Sequence, residues 1–565
     1  MSDADATTDT NSGWPSQRML GIAISLGLLC GVLLLAQGLQ PSDDAYITFR
    51  HARHLALHGW PAWNLTGPPV LGSTSPAWMF WLGGLGALFG GGRIETLALA
   101  SNAGLTSAIV VLSFLVAYDL LEDAFSALVA AALVGVNSVC VYVYSLGFEA
   151  AGVSAVVLAC LLALRRDRRR TAVFLASLAP LVRPEGVLLT PIVWGVLLLR
   201  GHASVRLVAW FAALPLVWAV AASAFYGSPV PHSITAKQNF PRVYRPYTGE
   251  NVSLIDRLPT VPAATLRVWQ RRLEPALFQG RLQSRESSAR DRLQAWLAYL
   301  GLLGLIPRLR RGERFAYALY PLGFVVLHGW LGALTIWYLP SFVGLATLLG
   351  FAGATRLLQL GSERLGLQRM PRRAVVRTGV VTLFALFATS NQYGVRADGD
   401  ASDGRWFARD ARGPRWEQWE RERFDGYRAA ALALNAREAD NAAKAGASAL
   451  ISEVGVFGFF YDGAVIDAVG ICSPEALGFY PPPRSDLFDA AGAPYTTANN
   501  IVPSRMITEL EPAYVVGSLT YLEHLIRPGT LFLKTYTRLR DVGRAWDRPI
   551  ALYGRTPEDA PASRR

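Results

Sequence analysis

Up to about residue 392 the chain alternates long apolar blocks with short arginine-rich breaks; beyond that point the apolar runs shrink to a few residues. Blocks near the ~20 residues that a helix needs to cross a bilayer predict a polytopic membrane protein. The predicted spans are 19–40, 94–118, 124–143, 150–164, 171–183, 186–200, 206–225, 294–307, 315–334, 337–357 and 375–391, about eleven in all. One further block, 77–90, is read as a helix lying flat at the outer interface. If it crossed, the run 165-RRDRRR-170 would fall outside; if it lies flat, that run falls inside with 307-PRLRRGER-314 and 363-ERLGLQRMPRR-373. The positive-inside rule selects the second arrangement, and Trp78 and Trp81 suit an interfacial helix.

This pattern divides the chain into a polar cytoplasmic tail (1–18), a transmembrane domain (19–392) and a soluble domain (395–565) outside. The transmembrane domain carries a first outer loop at 41–93 and a long outer loop at 226–293. The first apolar run is too long for a signal-peptide core, so it is predicted to be retained. In the tail, a helical pattern at 424–445 is mixed with the short runs 448-SALIS-452, 464-AVIDAVG-470, 513-AYVVG-517, 531-LFLKTY-536 and 549-PIALYG-554, which predicts an α/β fold. The fold class is therefore an α-helical polytopic membrane protein with a C-terminal extracytoplasmic α/β domain.

Composition agrees. The chain of 565 residues is 52% hydrophobic and 17% charged, with a net charge of +12, nearly all from arginine. Much of that excess sits in short loops, where it faces anionic lipid, which argues against nucleic acid as a partner. Three of the four cysteines lie in apolar runs and none has metal or redox spacing.

The candidate chemistry begins at 41-PSDDAYITFRHARHL-55, directly after the first span. Adjacent carboxylates at a membrane boundary are costly to hold near hydrocarbon, so Asp43 and Asp44 are either in water or have a task. One task is to accept a proton from an attacking hydroxyl. The other reading is an acidic cap on the next helix, which the local residues alone favour. Arg50 and Arg53 follow, as phosphate contacts or as interfacial anchors. Glu149 in 144-YSLGFEAAG-152 is read either as a sugar contact or as a helix-start carboxylate. In 181-LVRPEG-186, Arg183 and Glu185 make either a phosphate clamp or a structural turn. The segment 225-FYGSPVPHSITAKQ-238 holds His232 and Lys237, one of three lysines in the chain; His328 stands near 337-WYLP-340, at the outer ends of late spans. There is no P-loop, dinucleotide fingerprint, HExxH or CxxC pair, which argues against an ATP-driven pump and for a donor already activated in the membrane.

The segments DDAYITFRHARHL, GSTSPAW, GFEAAG, LVRPEG, FYGSPVPHSITAK and 453-EVGVFGFFYDGAVIDAVGICSPEA-476 occur in that order over most of the chain. Together they resemble the GT-C superfamily of polytopic glycosyltransferases, and within it the branch of mycobacterial terminal arabinofuranosyltransferases. The resemblance implies a polyprenyl-phosphate sugar donor, such as a decaprenyl-phosphoryl arabinofuranose, and a glycan, lipid or protein acceptor in the bacterial cell envelope. It implies Asp43 or Asp44 as base, Arg183 and Lys237 toward the lipid phosphate, and Glu149 toward sugar or acceptor. A divalent metal is compatible with this scheme, with the same aspartates as its only ligands in sight. Two other classes compete: a lipid-linked glycan transporter, which would call for paired halves and charges deep within spans, and a non-catalytic assembly protein whose tail binds glycan.

Overall fold

The computed structural model describes residues 14–236, 258–268, 311–331, 336–364, 377–384, 414–439, 447–488, 492, 501–545 and 548–556. Its first ten helices are α1 (Gln17–Ala36), α2 (Asp43–His58), α3 (Pro76–Phe89), α4 (Ile94–Leu121), α5 (Ala124–Gly135), α6 (Ser138–Ser145), α7 (Ala150–Arg165), α8 (Arg169–Val182), α9 (Leu189–Leu199) and α10 (Val205–Tyr226). Helices Arg311–Leu331 and Leu339–Arg364 complete the apolar bundle among the described residues.

Four of these described helices are long and apolar enough to cross a membrane: Gln17–Ala36, Gly91–Leu121, Val205–Tyr226 and Leu339–Ser362. The chain is a multi-pass membrane protein. The expected span 124–143 is instead two helices, α5 and α6, bent by 49°. Asn137 causes the break: its side chain accepts the Cys140 amide at 3.1 Å and starts a new helix. The predicted span 294–307 and much of 375–391 lie outside the described residues.

Glycines let α1 lie close against α4. A Cβ on Gly27 would come 2.6 Å from the Ser107 carbonyl oxygen, and one on Gly31 would come 2.7 Å from that of Ala103. The Gly-x-x-x-Gly face of α1 therefore lies backbone to backbone on α4. At the opposite extreme, α10 exposes Val205, Trp210, Leu216, Val217 and Val220, an apolar face with the character of lipid contact. Ion pairs gather one end of the bundle. Arg165 and Arg200 reach Glu313 at 2.7 and 3.3 Å, and Arg166 grips Asp119 through two nitrogens at 2.8 and 3.0 Å. Arginines from the 165–170 break and from the end of α9 thus meet carboxylates on α4 and on helix Arg311–Leu331.

The tail contains helices Pro414–Ala439 and Gly455–Phe460 and a five-stranded sheet, β1 (Ser448–Ile451), β2 (Ala464–Asp467), β3 (Tyr514–Ser518), β4 (Tyr536–Ala545) and β5 (Arg548–Arg555). The order is β2-β1-β3-β5-β4, with β1 parallel to both neighbours and β5 antiparallel to both of its own. The run 531–536, read as strand-like, is a one-turn helix, Leu531–Thr535. Its Phe532 stacks on Tyr536 at 5.1 Å, one turn ahead, and a short apolar run does not distinguish the two conformations. Strand β4 carries three arginines and an aspartate, so hydrophobic patterning passes over it; these charges suit an edge strand.

Overpacking tests the α1–α4 contact. Gly31→Val is expected to cost about 1–3 kcal/mol, seen as a lower melting temperature in detergent. Gly21→Val, where a Cβ meets nothing within 4 Å, should leave it unchanged.

Candidate active site

The acidic pair opens α2, and its two members face different surroundings. Asp44 is exposed, whereas Asp43 is nine-tenths buried. Asp43 accepts the backbone amide of Val456 at 2.8 Å through Oδ1 and that of Gly455 at 3.3 Å through Oδ2. The capping reading of the pair thus has a physical counterpart, but the helix being capped belongs to the tail. Burial pushes the Asp43 carboxyl up to about 6; Arg423 and the Val456 amide pull it down, while Glu453 and Asp44 add to the rise.

Two turns further along α2, Arg50 receives the other end of the same tail segment. Its nitrogens donate to the carbonyls of Gly458, of Tyr461 at 2.7 Å, of Gly463 at 2.9 Å and of Trp63 at 2.7 Å, with Asn64 Oδ1 at 3.3 Å. The guanidinium also lies 5.0 Å from the Trp63 ring. Burial, then Arg53, lowers its pKa to about 9. Seven residues of α-helix advance ~10.5 Å and six advance ~9 Å, so Asp43 and Arg50 span the tail helix end to end. Glycine makes this approach feasible: a Cβ on Gly455 would overlap the Asp43 carbonyl, and one on Gly458 would come 2.7 Å from Trp63. Outside the clamp, Arg53 donates to the Phe459 carbonyl at 2.9 Å and pairs with Asp462 at 3.1 Å.

Histidines fix the loop after α2. His51 donates from Nδ1 to the Pro61 carbonyl at 2.9 Å and accepts the Gly72 amide at Nε2, 3.2 Å away. His54 donates to the Ala62 carbonyl at 2.8 Å. Burial lowers the two rings to about 4 and about 3, so both are neutral at pH 7. Trp63 and Asn64 then bond to Val465 on β2.

The turn between α6 and α7 runs beneath the acidic pair. Ser42 donates to the Leu146 carbonyl at 3.0 Å, Trp78 to that of Gly147 at 3.3 Å, and Asn102 to those of Tyr144 and Phe148, both at 2.9 Å. This turn ends at Glu149. Arg183 bridges Glu149 at 3.1 Å and Glu185 at 2.7 Å, donates to the Trp337 carbonyl at 3.0 Å and lies 4.4 Å from the Tyr338 ring. His328 also packs on Tyr338, ring to ring at 4.9 Å. The bundle therefore joins Glu149, Arg183, Glu185 and His328 into one buried polar cluster. With α8 14 residues long, or ~21 Å, this cluster lies at the opposite end of α8 from the Arg165–Glu313 end of the bundle.

His232 is placed elsewhere. Its Nε2 donates to the Gly470 carbonyl at 2.9 Å and its amide to the Leu71 carbonyl at 2.9 Å, lacing the chain after α10 to both the first loop and the tail. Lys237 lies outside the described residues. The tail loop that meets His232 is folded around Asp467, which accepts the amides of Val469 at 2.9 Å and Cys472 at 2.8 Å. Among the described residues no group of three or more His, Cys, Asp and Glu could hold a metal ion.

Sequence reasoning passed over Arg423 and Glu453, which pair at 3.1 Å beside Asp43. It also passed over Glu95, the acceptor of the Tyr46 hydroxyl. The one signal available was Gly455-x-x-Gly458, small residues at helical spacing.

No family model and no curated protein matches the sequence. Solved structures do match the fold. ArnT from Cupriavidus metallidurans bound to undecaprenyl phosphate aligns over 95% of this chain and 98% of its own, with TM-score 0.50 and 13% identity. The archaeal oligosaccharyltransferase AglB from Archaeoglobus fulgidus, in complex with an inhibitory peptide and a dolichol-phosphate, aligns over 98% of this chain and 76% of its own, with TM-score 0.55 and 13% identity. Both have the GT-C membrane fold, and this chain shares it.

The Asp43 carboxyl gives a signed pH dependence. Its pKa is higher in the folded protein than in the unfolded chain, so its contribution is full below about 4 and is lost as pH rises through about 6. Histidines 51 and 54 act in the opposite sense, losing their contribution as pH falls below about 6.5. Comparison with Asp43→Asn at each pH isolates the carboxyl. Wild type should gain on the variant by up to about 3 kcal/mol between pH 7.5 and pH 4, read as a change in the gap between their melting temperatures.

Proposed function

We propose that this protein is a glycosyltransferase that moves a sugar from a polyprenyl-phosphate donor to a hydroxyl of a cell-envelope glycan, lipid or protein. The reaction takes place on the outer face of the bacterial inner membrane, with the tail domain on that side. The observation that carries the reading is the acidic pair at the start of α2, set over the Glu149 turn in a fold shared with ArnT and AglB. Those two structures contain undecaprenyl phosphate and a dolichol-phosphate respectively, which supports a lipid-phosphate donor here.

In this scheme the acceptor oxygen attacks the anomeric carbon and the bond from that carbon to the phosphate oxygen breaks. The proton of the acceptor passes to the Asp43–Asp44 pair, and polyprenyl phosphate leaves with the bonding electrons. Burial favours base chemistry at this position, because a carboxylate whose pKa is raised toward neutrality holds a proton better during transfer. Arg183 and Lys237 are assigned to the phosphate, and Glu149, Glu185 and His328 to hydroxyls of sugar or acceptor. Arg50 and His232 serve by holding α2 and the segment after α10 against the tail. Arabinofuranose is the sugar to test first.

The test uses purified protein, a radiolabelled polyprenyl-phosphate arabinofuranose and an oligosaccharide acceptor. Removing a general base costs about 100-fold or more, so at least one of Asp43→Asn and Asp44→Asn should lose transfer on that scale while still binding donor. Wild-type rates in both variants, or no binding of any polyprenyl-phosphate sugar by wild type, would overturn the proposal.

A further inference from the structure

We infer that Arg50 is a positioning residue: by gripping tail helix Gly455–Phe460, whose opposite end Asp43 holds, it fixes the rotation of α2 and with it the aim of the acidic pair. This deepens the functional reading above and rests on it.

The geometry supports a rigid coupling. Both clamp residues lie on one helix at a spacing of two turns, and both bond to backbone atoms, so the register between α2 and the tail cannot slip without breaking several bonds at once. Arg50 forms no ion pair among the described residues; its hydrogen bonds go to carbonyl and amide oxygens. A buried guanidinium is tolerated only while those acceptors stay in place, so it reports directly on docking. The acceptors come from two separate stretches, Trp63–Asn64 of the first loop and Gly458–Gly463 of the tail, and the same side chain holds both. Gly455 and Gly458 leave no space for a side chain between the two helices. Trp63 fills the gap beside Gly458 and bonds to Val465, extending the contact to the sheet. Nothing in this arrangement requires Arg50 to meet substrate. Its effect on catalysis acts through α2.

The experiment compares Arg50→Gln, which loosens the clamp from the loop side, with Gly458→Ala, which loosens it from the tail side, and with their double variant. Full-length protein is used throughout. Transfer kinetics are measured alongside hydrogen exchange of amides 455–463. Val515→Ala, a cavity on the opposite face of the tail sheet, controls for general loss of stability. Each single variant should lower kcat by about tenfold or more while leaving KM for the donor within about threefold, and both should speed exchange at 455–463. The double variant should lose no more than the worse single one, because both break the same coupling. Val515→Ala should leave kcat near wild type.

Exchange released in Arg50→Gln with kcat unchanged would overturn the proposal. So would a loss that appears in KM alone, a loss matched by Val515→Ala, or additive losses in the double variant. Absence of transfer by wild type would instead overturn the functional reading, and the positioning role with it; the wild-type lane separates the two failures.

Discussion

The structure turns on a short stretch of tail backbone held at both ends by one helix of the first loop. Asp43 takes the amides of Gly455 and Val456, and Arg50 takes the carbonyls of Gly458 and Tyr461. Each charged group is buried, so each bond to it is worth more than a neutral one and costs more to leave unmade. Because the loop also lies on the α6–α7 turn and receives the chain after α10, this contact places the acidic pair relative to membrane domain and tail together.

The tail sheet explains why docking occurs there. Its strand order reverses at β1, which has parallel neighbours on both sides, and helix Gly455–Phe460 follows β1 directly. In open α/β sheets the carboxyl ends of the strands at such a reversal form the usual ligand crevice. Here a side chain of the same protein, Asp43, occupies that position, with Arg423 and Glu453 beside it. The tail uses its conventional binding edge to hold the first loop. A second charged assembly, Glu149–Arg183–Glu185, ties α7, the α8–α9 turn and Trp337 together below. It supplies two carboxylates to one guanidinium in the apolar domain, an arrangement that needs a reason beyond stability.

Much of this was legible in the chain. Apolar blocks announced the bundle, and the charged boundary at Asp43–Asp44 marked itself because carboxylates beside hydrocarbon are costly. What patterning could not reach was partnership. Asp43 and Val456 are separated by 413 positions, so no local rule connects them. Arg50 read equally as a phosphate contact, since a guanidinium shows its partners only after folding. Arg183 and Glu185 read as neighbours in one turn, but only the bundle brings Glu149 to them. The bend at Asn137 and the charged edge strand β4 were missed for another reason: hydropathy is blind to a cap and to a strand that buries little.

The central claim is that catalysis occurs where α2, the Glu149 turn and the tail converge. An experimental structure of the full chain in lipid nanodiscs with a polyprenyl monophosphate tests it most directly. The account predicts density for the phosphate at the outer end of the bundle, between the acidic pair and Arg183. A phosphate seated instead at the opposite end, among Arg165, Arg200 and Glu313, would contradict it.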